Sequence, residues 1–514
     1  ALMTLIEDCA SRAGGLTPSD VPLADLDQPQ LDALENPANI EDILPLAPMQ
    51  EGILLHSLLE QGSGIYLMQD QYEVRSEVDF EAFRAAWHAV VQRHPMLRTA
   101  FHGLDGGTQH QIVYRDVPSP AQLIDLSHLE RADAEAELEA LLAAERRQGF
   151  DFTKPPLLRL RLVRFGQDDC RIVQSHHHAL IDAWCRGLML AEFFDHYRTL
   201  VDGKQPVVTP ARPYRDFIAW LQRQDATQAH RFWRDNLVGF TEVTPLPYRR
   251  TANGEPSIQD VTHALTAEET AQLVERARDE KLTVNTFMQA AWALVLMRHG
   301  GLDEALFGVT VAGRPAELDG IEDTLGLFIN TLPLRIGAES TTQTGLEFLC
   351  SLQSANAALR QYEHLSLAEV QNLADTPRGD ALFDSLFVFE NVPMGTDVRQ
   401  AAEAYGITPL ANRTHTNYPL TVVILPGETY QLQFSYDQRV FRDRDMQALL
   451  DQYHQVLRQL MQAPEQPLAA IQLVSAGERG ELLGLGQGQM EPDWMSLSWL
   501  ERFEAWALAD PGRE

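Results

Sequence analysis

"PLLRLRLVRFGQDDCRIVQSHHHALIDAW" (156–184) reads as strand, turn, strand, loop and the start of a helix. Leucine alternates with arginine over "PLLRLRLVRF" (156–165), the period-two pattern of a half-buried strand. "GQDD" (166–169) supplies a turn, and "CRIVQSH" (170–176) returns as a second strand. Beyond three adjacent histidines, Ile181, Trp184, Cys185, Leu188, Ala191 and Phe194 recur at helical spacing. A strand pair running directly into a helix sets a mixed α/β (α+β) class.

The same mixture continues along the chain. "LTVNTFMQAAWALVLMRHG" (282–300) predicts a strongly apolar helix with Thr283 or Asn285 as its cap. "LFGVTVAG" (306–313) and "GLFINTLPLRI" (326–336) read as strands, the first of them buried, and "YQLQFSYDQ" (430–438) as an alternating strand. No repeat of barrel or solenoid type organises them, and two lobes are expected. "GGLTPSDVPLADLDQPQLDAL" (14–34) reads as a tether leading into a short helix, and "LGLGQGQMEPD" (483–493) as a second linker. "SLSWLERFEAWALADPGRE" (496–514) then begins an amphipathic helix whose apolar face nothing later in the sequence covers, the pattern of a piece of a longer polypeptide.

The histidine triplet leaves three chemistries open. In an extended segment adjacent side chains point to opposite faces, so at most two of His176, His177 and His178 share a direction, a poor start for a zinc cage with Asp182. Satisfied histidines at a strand end, with Asp182 capping the next helix, are the plain structural reading. A neutral imidazole at a strand end beside a helix start also suits proton transfer near neutral pH. No GxSxG elbow, Walker loop or HExxH is present, and "GLGQG" (484–488) misses a dinucleotide fingerprint by one residue.

The composition narrows the setting. A chain of 514 residues with 45% hydrophobic residues is long enough for two domain-sized cores. Its formal charge of -32 argues against nucleic acid or an anionic membrane as partner. Cys9, Cys170, Cys185 and Cys350 are too scattered for a disulfide framework, which fits a reducing cytoplasm. The sequence carries neither a signal peptide nor an apolar run of about 18 residues.

"HHALIDAW" (177–184) resembles the HHxxxDG motif of the condensation domains of nonribosomal peptide synthetases, relatives of chloramphenicol acetyltransferase. Six further stretches resemble that family in the same order: "LPLAPMQEGILLHSL" (44–58), "RHPMLRTAF" (93–101), "YRDFIAWL" (214–221), "FGVTVAGRP" (307–315), "GLFINTLPLR" (326–335) and "LFDSLFVFENVP" (382–393). One departure is Ala183, where the family has glycine; a small residue is tolerated there unless the backbone needs positive φ. The resemblance implies two acetyltransferase-like lobes in a V, residues 40–210 and 211–475, around a central tunnel. It implies peptide-bond formation: the amine of an acceptor aminoacyl group attacks a donor peptidyl thioester, both borne on phosphopantetheine arms of carrier proteins. No cofactor is held by the domain itself, no metal is expected, and residues that contact the arms are not indicated.

Carried onto this chain, the resemblance makes His178 the catalytic imidazole, with His177 supporting the loop. Asp182 is directed toward Arg314, tying the lobes together, while Asn330 and Trp184 support the site. Residues 1–39 resemble the tail and linker of an epimerisation domain, and 476–514 a linker and the first helix of an adenylation domain. The implied partners are upstream and downstream peptidyl carriers and those neighbouring domains, with a monomeric fragment. The first motif resembles the subtype that takes D-configured donors and L-configured acceptors. An epimerisation domain and a noncatalytic recruitment module share the fold; "NTLPLR", the absence of "DGVSW" and the retained second histidine count against them.

Overall fold

The computed structural model describes residues 15–509, apart from 61, 105, 253–256, 341, 377–380, 391–399, 401, 414–415 and 487–497. In the first half of the chain the strands are β1 (Ile40–Pro45), β2 (Leu67–Val74), β3 (Thr99–His102), β4 (His110–Tyr114), β5 (Ala121–Asp125), β6 (Leu158–Gly166) and β7 (Asp169–His177). The second half supplies β8 (Ile258–Ala264), β9 (Glu304–Val311), β10 (Asn330–Gly337), β11 (Ser385–Phe389), β12 (Ile407–Arg413), β13 (Leu420–Leu425) and β14 (Gln431–Asp437). The helices that matter for the site are α1 (Pro48–Leu59), α2 (Arg131–Gln148), α3 (Ala183–Val201), α4 (Val284–Gly300) and α5 (Asp443–Gln462).

Three sheets form, in the orders β1-β4-β3, β12-β2-β7-β6-β5 and β10-β9-β11-β13-β14-β8. The β6–β7 hairpin has the expected alternation: Leu158, Leu160 and Leu162 are buried. Its arginine face is covered as well. Arg159 and Arg161 reach Glu145 of α2 at 2.9 and 2.6 Å, and Glu145 is only 4% exposed. The strand is therefore sandwiched, with ion pairs replacing water on its polar side. On α3 the buried stripe runs Cys185, Met189, Phe193, Phe194 and Tyr197, whereas Ala191 is exposed. α4 is buried on all sides from Thr286 to Met297, and of the two candidate caps it is Thr283 whose hydroxyl accepts from Thr286 N–H at 3.1 Å.

The division at residue 210 is crossed in both sheet and core. β12, from the second half, pairs antiparallel with β2 and closes an edge of the five-stranded sheet. Tyr214, Phe217, Ile218, Leu325, Leu327 and Phe328 pack into the first core beside Phe101, Leu180 and Met189. The expected strand at 326–336 begins only at Asn330. Residues 326–329 leave the sheet because their backbone is bound to the Asp182 region, with Asp182 N–H donating to Gly326 O at 3.3 Å. The segment 16–34, expected to be a tether, is packed: Val21, Ala24, Leu26 and Leu31 bury against Ile40, Ile43 and Ile112. The linker 483–493 and the segment 1–14 fall largely or wholly outside the described residues. The helix Trp499–Ala509 exposes Trp499, Phe503, Trp506 and Leu508.

Candidate active site

β7 ends by delivering the histidines, and its register against β2 fixes where each goes. Leu67 faces His177 and Met68 faces His176, so these two rings lie on opposite sides of the sheet. His177 is 3% exposed. Ala179 N–H donates to its Nδ1 at 3.3 Å, so its proton sits on Nε2, which meets Ser57 Oγ at 3.1 Å. Ser57 in turn donates to Ile53 O at 2.8 Å within α1. Both ring nitrogens are thereby occupied, and burial pushes the His177 pKa down to about 3. This imidazole is neutral and held from both sides.

His178 lies one residue past the strand and differs in each respect. Its backbone N–H donates to Tyr66 O at 2.9 Å. Its Nδ1–H donates to Ile181 O at 3.0 Å, which fixes the tautomer and, among the described residues, leaves the Nε2 lone pair unspent. The ring is partly exposed and meets the edge of Tyr66 at 6.4 Å between centroids. Burial lowers its pKa below the ordinary imidazole range, with the Ile181 bond and the charges of Asp182 and Asp70 pulling the other way. A neutral, oriented imidazole with one free acceptor is what a base or an amine-positioning group needs.

Asp182 ends the loop as the N-cap of α3, its carboxylate accepting from Cys185 N–H. It also receives Arg314 Nη2 at 3.1 and 3.4 Å and Phe328 N–H at 3.2 Å. Cap and ion pair are thus one group, not alternatives. Arg314 spends its other terminal nitrogen on Ile321 O and Thr324 O, and its guanidinium stacks over Phe328 at 4.0 Å. Gly313 makes this approach possible: its φ is +60°, and a Cβ there would lie 1.7 Å from Phe328 O. Ala183 is the first helical residue and is absent from the positive-φ positions, so the glycine of the family motif is not required by backbone conformation here. Trp184 donates to Glu322 O at 2.9 Å and lies 5.3 Å from the Arg314 guanidinium.

Asn330 is 4% exposed and donates to Glu363 O and Leu365 O at 2.8 and 2.7 Å. It ties β10 to the turn before the helix Leu367–Asn372, and its side-chain oxygen accepts from Thr331 N–H. Sequence reasoning missed Ser57, Tyr66, Asp70 and Arg186, and it gave no role to Gln50. Gln50 donates to Ala179 O at 3.0 Å, pinning the histidine turn to α1. The signal for it was its place in "PMQEG"; Tyr66 acts through its backbone and leaves no such mark. A cleft of about 710 Å³ lined by Ser57, Ile65, His102, Arg146 and Phe152 reaches His177. Among the described residues no group of three His, Cys, Asp or Glu side chains is placed to hold a metal ion, and no helix is long and apolar enough to cross a membrane.

The three sheets and the helices packed on them have the mixed α/β architecture of the acetyltransferase-like fold. Residues 40–483 match the condensation domain family, and the chain belongs to it. Domains of this family are amide-forming acyltransferases of nonribosomal peptide synthetases. The chain is 39% identical over 476 residues to one of the proteins of the linear gramicidin synthase of Brevibacillus parabrevis, covering 92% of this chain and 6% of that relative's length. Among solved structures, the first condensation domain of the calcium-dependent antibiotic synthetase with a substrate analogue superposes with a TM-score of 0.66 at 18% identity, over 84% of this chain and 99% of that one. The X-domain from teicoplanin biosynthesis gives 0.70 at 21% identity, over 86% and 99%. These two likenesses concern the fold.

Proposed function

We propose that this chain forms a peptide bond between two carrier-bound substrates, with His178 as the catalytic residue. The observation that carries the reading is the fixed tautomer of His178, which presents Nε2 as a free acceptor. The acceptor amine donates to Nε2, attacks the donor thioester carbonyl and gives up a proton as the C–N bond forms. The C–S bond then breaks, and the proton reaches the departing sulfur. Thiolate is a good leaving group, so orientation of the amine contributes as much as base strength. The phosphopantetheine arms come with the carrier proteins and supply the thioesters. His177 and Asp182 hold the loop, and Arg314, Ala183, Trp184 and Asn330 support it.

The finer reading follows the sequence. We place the lobes at about 40–210 and 211–475, with β12 as the exception, a tail of an upstream epimerisation domain before them and the start of an adenylation domain after. The chain works in the cytoplasm as a monomeric fragment, consistent with the free thiols of Cys170, Cys185 and Cys350. The donor is D-configured and the acceptor L-configured. With the thioester held by its arm, inverting the α-carbon exchanges hydrogen and side chain against the wall, and a misplacement of about 1 Å costs roughly 10²-fold in rate.

The test loads one carrier protein with N-acetyl-D-alanine or its L epimer and a second with L-alanine, and follows the acceptor carrier by intact mass. Faster amide formation from the D donor is expected. Equal rates or an L preference refute the stereochemical subtype. Epimerised donor without amide would identify an epimerisation domain, and carrier binding without either product a recruitment module.

A further inference from the structure

The alternation that buries His177 against Ser57 sends another polar row to the opposite face of the same sheet. Asp70 faces Gln174 and Met68 faces His176 across the β2–β7 pair, so Asp70, Gln174 and His176 emerge on one face. They are 4%, 1% and 7% exposed. Among the described residues Gln174 Nε2 and His176 Nδ1 have no hydrogen-bond partner, although buried polar atoms ordinarily do. Arg186, one helical turn beyond Asp182 on α3, donates to Asp70 Oδ1 at 3.3 Å. Glu390, directly after β11, is close enough to feel the charges of Arg186, Asp182 and Asp70. Asp182 pairs with Arg314, and among the described residues Asp70 and Glu390 are two carboxyl groups facing one guanidinium, Arg186, with burial pushing both carboxyl pKa values up.

We propose that Asp70, anchored by Arg186, is a positioning residue that draws the acceptor's ammonium into the site and stabilises positive charge on the amine and on His178 during attack. This rests on the condensation reading above. With an α-amino pKa near 8, the acceptor is mostly an ammonium at neutral pH. Ammonium and thioester give amide, thiol and one released proton. Positive charge therefore sits on nitrogen before attack and on nitrogen or imidazole during it. Burial opposes both, and the Asp70 carboxylate, with Glu390 beside the same guanidinium, offsets part of that penalty. His178 and Asp70 feel one another's charge. The donor thioester is neutral and gains nothing from an anionic neighbour, so the cluster selects for the acceptor. Gln174 Nε2 adds a free donor for the acceptor's own carbonyl.

Among the described residues the titratable and charged groups around Asp70 are Tyr72 on β2, His176 on β7, His178 in the loop, Arg186 on α3, and Glu390 after β11, with Asp182 beside His178 and Glu390. Tyr66 and His177 complete the set around His178. Removing the Asp70 charge lowers the pKa of neighbouring cationic acids, and removing the Arg186 charge raises it. The experiment measures single-turnover condensation across pH and over a range of acceptor and donor concentrations for the wild-type chain, Asp70→Asn, Asp70→Glu, Arg186→Gln and His178→Ala, with the alanyl carriers above.

Asp70→Asn is expected to slow the maximal rate about 10²-fold, raise KM for the acceptor but not the donor, and move the acid limb down by about one pH unit. Arg186→Gln moves the limb up, and Asp70→Glu leaves it in place. Should Asp70→Asn fail to fold, Arg186→Gln carries the test of sign, with Asp70→Glu as the charge-conserving control. Limbs that stay together while rate falls only in step with melting temperature make the cluster structural and overturn the proposal. A wild-type chain that forms no amide sinks the condensation reading and this inference together. Amide formation that depends on His178 but not on Asp70 sinks this inference alone.

Discussion

Replacing Asp182 by alanine should cost more stability than any other single change at the site. The carboxylate accepts from Arg314, from Phe328 N–H and from Cys185 N–H, and the Asp182 and Arg314 side chains are 1% and 5% exposed. Arg314 keeps the Ile321 and Thr324 carbonyls at 2.7 and 3.0 Å but loses its counter-charge. Stranding a buried charge costs about 3–5 kcal/mol, and losing an N-cap about 1 kcal/mol. One carboxylate performs both tasks, so the terms overlap, and about 4 kcal/mol is the working figure. For a lobe-sized unit, at roughly 2–4 °C per kcal/mol, the melting temperature falls by about 8–16 °C. Tryptophan fluorescence during heating measures this, with Arg314→Met and the double variant completing a cycle. The double variant strands no charge, so it should be milder than the sum of the singles by about 2 kcal/mol. An unchanged melting temperature in Asp182→Ala, or strictly additive losses, would refute the coupled pair.

His178→Ala is expected to fold normally and to slow amide formation about 10²–10⁴-fold; near-normal rates in single-turnover assays would assign positioning to other groups. Ser57→Ala removes the partner of His177 Nε2 and should cost about 1–3 kcal/mol in urea titrations, with a smaller loss of rate than His178→Ala. Burial holds His176 and His177 near pKa 3 in the folded state, against about 6.5 when unfolded. The unfolded chain binds their protons first, so stability is lost as pH falls below about 6.5, by up to about 1.4 kcal/mol per unit for each histidine. Melting curves between pH 7 and 5 check this, and His177→Gln should flatten the slope. Exhaustive chelation should leave condensation unchanged; loss of activity together with stoichiometric zinc would overturn the metal-free reading.

The mixed class and the order of elements around the site were legible because the hairpin 156–177 and the helix 284–300 carry strong local periodicity. Motif matching supplied the Asp182–Arg314 pair, since no local pattern relates residues so far apart. What stayed hidden was set by tertiary contact. Strand periodicity ran through "GLFINTLPLRI", but Asp182 captures the backbone at 326 and 328 and delays β10 to Asn330. Arg159 and Arg161 mimic a solvated face, because Glu145 meets them from a helix whose position the hairpin sequence does not encode. Asp70 and Arg186 were invisible for a similar reason: a charged residue in a strand or helix reads as surface until its partner is seen.

The pairing of β12 with β2 has consequences for synthesis and for engineering. Ile407 meets Val74, more than 300 positions earlier, and Tyr405 stacks near Phe194 and Tyr197 beside it. As the chain leaves the ribosome, the sheet of β2, β7, β6 and β5 waits with the β2 edge bare until the segment after residue 400 has been made. Such a long-range closure is slow to form and leaves a strand edge open to other chains meanwhile. A chimera spliced near residue 210 inherits the same fault permanently, unless both donor sequences agree along β2 and β12. Exchange of lobes between synthetases should therefore carry residues 405–413 with the first lobe, however far downstream they are encoded.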